Sequence, residues 1–315
     1  MTVLAIGLAF LSAVSLAYGA LLQHRGVSGL RASEGTLRIR TLVRLVGSPH
    51  WVLGLVVMAA GIVANVTALA FAPVMVVQPV GAFSLVISIL LGMFHRSLAV
   101  HRTVVVTVIL CVVGVAGFVT VSALVATTSP TSRAEADLLA LLALVFTVIG
   151  LVVILVVSHP RQLLLITGGG ILFAFVATNM HVVSSHIVEV GLGAGLASLP
   201  WSNAVALAAS GLVGSWFVQS SYASGPPEMV IAGLTVIDPI VAVLLGALLL
   251  GEAADSGVAS ILGMAAFGAL ACASVVVLSR HHPDAVAAER RRSRQKYGDD
   301  PGPPSFEEVS DPVIP

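Results

Sequence analysis

The sequence predicts an all-α integral membrane protein with about nine membrane-spanning helices. Three observations lead there. First, 57% of the 315 residues are hydrophobic and only 10% are charged, with a mean hydropathy of +1.05. A soluble chain of this length needs roughly 25% charged residues to cover its surface, so lipid must serve as solvent for much of this one. Second, the apolar residues fall into continuous runs near the roughly 20 residues that a helix needs to cross a bilayer. Third, the basic residues fall almost entirely on alternate connections between those runs.

The runs lie at about 3–22, 51–71, 74–94, 103–125, 138–157, 163–188, 203–222, 228–250 and 257–279. They are unbroken, whereas barrel strands would alternate over about ten residues, and only helices satisfy their own backbone in lipid. The first run has no basic residue before it and Arg25 after it, so it reads as an uncleaved first span. With the N-terminus outside, every Lys and Arg except Arg133 falls on the cytoplasmic side. This predicts a multi-pass protein of the plasma (bacterial inner) membrane with a cytoplasmic C-terminus. Trp51 and Trp201 sit near span ends, where indole favours the headgroup boundary.

Two segments are predicted not to span. Within 28–48, Ile39, Leu42, Val43 and Val46 share one helical face and Arg40 and Arg44 lie on another, as in a helix along the inner leaflet. Residues 281–315 open on His281, His282 and the basic run Arg290–Lys296, then turn acidic and proline-rich; they read as a disordered tail touching anionic lipid.

Two stretches resemble each other. One runs PVMVVQPVGAFSLVISILLGMFHR from Pro73, the other PEMVIAGLTVIDPIVAVLLGALLLGE from Pro227. One span separates the two sets of four, which inverts the copies. The transmembrane domain, 1–280, thus divides into a first repeat at about 1–125, a connecting helix at about 138–157 and a second repeat at about 163–280. Inverted repeats with interrupted helices are the pattern of secondary transporters, whose sites lie near mid-membrane between the repeats.

Polar side chains inside the spans are costly and tend to face a cavity or another helix. They are Asn65, Gln78, Asn179, His181, Gln219 and Asp238. Asp238 is the carboxylate placed deep in a span, and it is also the candidate metal ligand. Gln78–Pro79 and Asp238–Pro239 occupy matching places in the two copies. Each proline removes an amide donor, so Pro79 and Pro239 are the expected helix breaks and a source of free carbonyls. Asn65, Gln78 and Asp238 form the first-choice substrate site; Asn179, His181 and Gln219 are second choices. A plain interhelical role remains open for each: hydrogen bonding for the Asn and His, a kink for Gln78, a cap for Asp238. Gly168, Gly169, Gly170, Gly211, Gly214, Gly263 and Gly268 read as close helix contacts. Cys111 and Cys272 read as buried apolar residues.

The formal net charge of zero gives no field for nucleic acid. No catalytic constellation, metal-ligand spacing, ATP-binding motif or cofactor signature appears in the sequence. The expected partners are a small solute or cation, membrane lipid, and a second copy of the chain, which the small-residue faces allow.

The stretch Trp51–Arg96, above all GIVANVTALAFAPVMVVQPVGAFSLVIS, resembles the second and third helices of NIPA-like magnesium transporters within the drug/metabolite transporter (EamA-like) superfamily. The resemblance rests on the initial Trp, a Gly with an Asn four residues later, Ala-Phe-Ala-Pro and Pro-x-Gly-Ala. Gln23 with its basic, glycine-containing turn is similar too, and Gln219, Tyr222 and Pro239 match more loosely. The chain departs from the family pattern at Ile62, where an acidic residue follows the glycine. Magnesium takes oxygen ligands with one or two carboxylates, so Asp238 would have to compensate. The resemblance implies a secondary transporter, moving a divalent cation or a small polar metabolite by alternating access. A scaffold working through the tail and a flippase of lipid-linked solutes are the alternatives.

Overall fold

The computed structural model describes residues 2–31, 47–96, 102–126, 131–157, 160–224, 227–254 and 256–280. Most of the amphipathic segment, from 32 to 46, and the tail from 281 lie outside the described residues. The helices are α1 (Thr2–Arg31), α2 (Pro49–Phe71), α3 (Val74–Val77), α4 (Phe83–Arg96), α5 (Arg102–Val125), α6 (Arg133–Val156), α7 (Gln162–Val190), α8 (Leu192–Ala197), α9 (Trp201–Ser224), α10 (Pro227–Leu249) and α11 (Val258–Arg280). A 3-10 turn, Gln78–Ala82, separates α3 from α4. No strand occurs among the described residues.

Among the described residues, eight helices are long and apolar enough to cross a membrane, and Val74–Ser88 is a shorter apolar stretch. The protein is a multi-pass membrane protein. Its outward surface carries large apolar side chains from many spans, including Val3 at 84%, Leu124 at 80% and Leu248 at 78% exposure. Such a surface is a liability in water and ordinary in lipid.

The third span is the one that departs from the expected plain helix. Pro73 opens it, α3 lasts four residues, and Gln78-Pro79 starts the 3-10 turn before α4 resumes. A proline inside a helix removes one amide donor and crowds the carbonyl four residues earlier. The eighth span answers the same chemistry differently, because α10 runs unbroken through Pro239. The expected break at Pro239 is therefore a tolerated proline within a continuous helix.

Small residues bring the helices together. Ala5, Ala9, Ala13 and Ala17 form a buried face on α1 at four-residue spacing. Along α2 the helix α1 packs through Ser12, Ser15 and Gly19, which meet Gly54, Met58 and Gly61. A Cβ on Gly54 would lie 2.8 Å from the Gly19 carbonyl oxygen, so no side chain fits at that crossing. In the second half, Cβ atoms on Gly168 and Gly170 would lie 2.6 Å from Phe217 and 2.7 Å from Ile237. The pairing pattern repeats. In the first half α1 packs on α2 and on the interrupted third span; in the second, α7 packs on α9 and on α10. The fourth and ninth spans, α5 and α11, pack on each other.

Candidate functional site

Two polar clusters and one isolated carboxylate stand out. Asp238 lies on α10, one residue before Pro239. Its Oδ1 is buried and has no hydrogen-bond partner. Leaving such an atom unpaired costs on the order of 1–3 kcal/mol, more if it is charged. Pro239 also cannot donate to the Thr235 carbonyl, one turn earlier on the same helix. The Thr235 carbonyl, which loses that amide, lies three residues before Asp238 on α10. The helix is held close to α7 here: a Cβ on Gly170 would sit 3.5 Å from the Asp238 amide nitrogen. The 3-10 turn that begins at Gln78 packs against α10 as well.

The first cluster centres on Glu252, just beyond α10. The residue is only 3% exposed, although it follows a span end. Oε1 accepts from the Val74 amide at 2.7 Å and Oε2 from the Met75 amide at 2.9 Å. These amides open α3, and Pro73 in front of them has no side-chain acceptor to cap them. The cap therefore comes from the other half of the chain. The approach depends on two glycines. A Cβ on Gly246 would lie 2.5 Å from Oε2, and Gly251 has a φ of +65°, which L side chains rarely adopt. The Glu252 amide then returns to the Gly246 carbonyl at 3.1 Å.

His181 of α7 completes this cluster. Its Nε2 lies 4.0 Å from Glu252 Oε1, and its Nδ1 hydrogen-bonds the Leu69 carbonyl of α2. Burial pushes the Glu252 carboxyl above the ordinary carboxylate range, against the opposing pull of His181 and of the Met75 and Val74 amides.

The second cluster is a tie within the second half and α6. Asn179 is fully buried; its Nδ2 donates to the Phe175 carbonyl at 2.8 Å. Asn203 Nδ2 donates at 2.9 Å both to Asn179 Oδ1 and to the Ala136 carbonyl. Asn179 is thus hydrogen-bonded through both ends of its amide. Near it a cavity of about 570 Å³ opens, lined by Asp137, His186, Glu189, Ser198 and Trp201 among others.

Of the other residues singled out in the sequence, Asn65 and Gln78 are partly exposed and Gln219 is exposed. No hydrogen bond joins Asn65, Gln78 and Asp238 to one another among the described residues. Ile62 is 54% exposed among the outward apolar side chains. Sequence reasoning missed Glu252 and Asn203. Glu252 falls in a connection and looks like one more loop acid; the flanking Gly246 and Gly251 are the available signal. No group of three or more potential metal-ligating His, Cys, Asp or Glu side chains occurs among the described residues.

The family profile described as "Magnesium transporter NIPA" matches residues 2–167. A probable magnesium transporter NIPA1 of Arabidopsis thaliana is 39% identical over 93 residues, 30% of this chain and 26% of that protein. Magnesium transporter NIPA4 of Mus musculus is 40% identical over 83 residues, 26% of this chain and 20% of that one. A longer match, 28% identical over 253 residues, covers 79% of this chain and 85% of an uncharacterised protein of Corynebacterium glutamicum. The chain thus aligns with about a quarter of the length of the named plant and mouse relatives. No solved structure matches.

Proposed function

The chain belongs to the NIPA magnesium transporter family, and we propose that it is a secondary transporter that carries magnesium across the cell membrane. The substrate passes between two inverted repeats, residues about 1–125 and 163–280, by alternating access. The N-terminus is outside and the C-terminus cytoplasmic, as the basic residues favour.

The observation that carries this reading is the buried, unpartnered Oδ1 of Asp238 beside a proline that frees the Thr235 carbonyl. Magnesium is a hard cation that is bound through one or two carboxylates and keeps several waters. Asp238 supplies the carboxylate, the Thr235 carbonyl a neutral oxygen, and Gln78 on the packed 3-10 turn a further amide oxygen from the other repeat. A single carboxylate suits a carrier, which must release its cargo. Asn179 stays outside this set because Asn203 and Phe175 already satisfy it.

The test is flux. Purified protein in liposomes with an internal magnesium dye takes up magnesium, and Asp238→Asn abolishes uptake while remaining monodisperse. Uptake by the variant at the wild-type rate would remove Asp238 from the pathway.

A further inference from the structure

We propose that Glu252 is the latch of a gate, closing the transport pathway at the end of the bundle where α10 finishes and α3 begins. This rests on the transporter reading above and adds to it the residue that holds one end shut.

The argument begins with what the carboxylate joins. Val74 and Met75 lie 178 and 177 residues away, in the first half of the chain. His181 brings in α7 and, through the Leu69 carbonyl, α2. Four elements, two from each half, therefore meet around one side chain. The surroundings are closed. Ala72, Val74, Met75, Val76 and Val77 are all at most 2% exposed, so solvent does not reach the start of α3.

The chemistry suits a contact made and broken repeatedly. An apolar side chain would hold two helices together without the penalty of burying a charge. A carboxylate on two amides is strong while the site is dry, because charge-assisted bonds gain in a low-dielectric setting. Once the helices part and water enters, the carboxylate and both amides are solvated, and little holds the open form back. Gly246 and Gly251 give the latch its seat: one leaves the space that Oε2 fills, the other the turn that aims the side chain inward. Among the described residues, the titratable group that faces Glu252 is His181; α2, α3 and α10 present the Leu69 carbonyl, the Val74 and Met75 amides and Gly246.

The experiment uses the full chain in liposomes with Cys111→Ser and Cys272→Ser, and a reporter Ala72→Cys. A membrane-impermeant maleimide is added to one face and then the other. In the parent the reporter labels slowly from both faces. Glu252→Gln, which keeps the shape and removes the charge, raises labelling from the Glu252 face about tenfold, a shift of ~1.4 kcal/mol in the open population. An Ala134→Cys control at the same end labels equally fast in both. If Glu252→Gln does not fold, Gly246→Ala serves, since it displaces the carboxylate without removing it, and the same rise is expected. A rate within about twofold of the parent, or a rise only from the opposite face, overturns the latch. Magnesium flux in the same vesicles separates the two readings. Labelling that responds without flux in any background sinks the transporter and keeps the gate. Flux with unresponsive labelling sinks the gate alone.

Discussion

The third and eighth spans begin with kindred sequence, Pro-Val-Met-Val and Pro-Glu-Met-Val, and end as different objects. The third is interrupted: a four-residue α3, a 3-10 turn, then α4. The eighth is one helix of 23 residues with Pro239 inside it. The same residue type has two outcomes because the surroundings differ. In the third span Pro73 and Pro79 stand six residues apart, so a second proline follows before the first helical stretch can lengthen. In the eighth, Pro227 starts the helix, where its missing amide costs nothing, and Pro239 has a full turn of helix on either side. The lesson is that a polar-proline pair marks where backbone oxygens come free, and not by itself where a helix stops.

That comparison predicts graded effects. The largest is at Asp238. Asp238→Asn keeps the shape and is expected to cut magnesium flux by at least ~10-fold, about 1.4 kcal/mol in barrier terms. Gln78→Ala, at the matching place in the interrupted span, is expected to raise the concentration for half-maximal flux with a smaller change in maximal rate, because a neutral oxygen is replaceable by water. Equal losses in the two variants would break the distinction between the spans.

Next in size is the cap on the interrupted span. Glu252→Ala leaves two buried amides without an acceptor, and a loss of about 3 kcal/mol in folding stability is expected. Denaturant unfolding in detergent reads it, and the loss should exceed that from Asn203→Ala. Gly246→Ala forces the carboxylate from its seat, at about 1–3 kcal/mol, and Gly251→Ala adds the strain of a left-handed residue, ~1 kcal/mol.

Much of the fold was legible because hydropathy alone dictates it. A run such as Ala140–Val157 can be nothing but a helix in lipid, and the described helices follow the predicted runs closely. The interruption of the third span was half visible: Pro79 marked it, but the four-residue α3 depends on a cap 177 residues away. The polar clusters were less legible for the same reason. Asn179 reads as a solute ligand in the sequence, but Asn203, on the next span, donates to its amide oxygen. Glu252 contacts backbone amides, which leave no trace in side-chain pattern. His181 drew attention as a histidine at depth, yet its partners are a carbonyl on α2 and a carboxylate beyond α10. Long-range pairing between halves is what a single sequence does not display.

The central claim is that Asp238 meets the cation while Glu252 holds helices. A carbodiimide reacts with carboxyl groups in apolar surroundings, and mass spectrometry of the digested protein reads each site separately. With the wild-type protein in liposomes, magnesium is expected to slow modification of Asp238 in a saturable way and to leave no comparable site protection at Glu252. Modification of Asp238 at the same rate with and without magnesium would contradict the account.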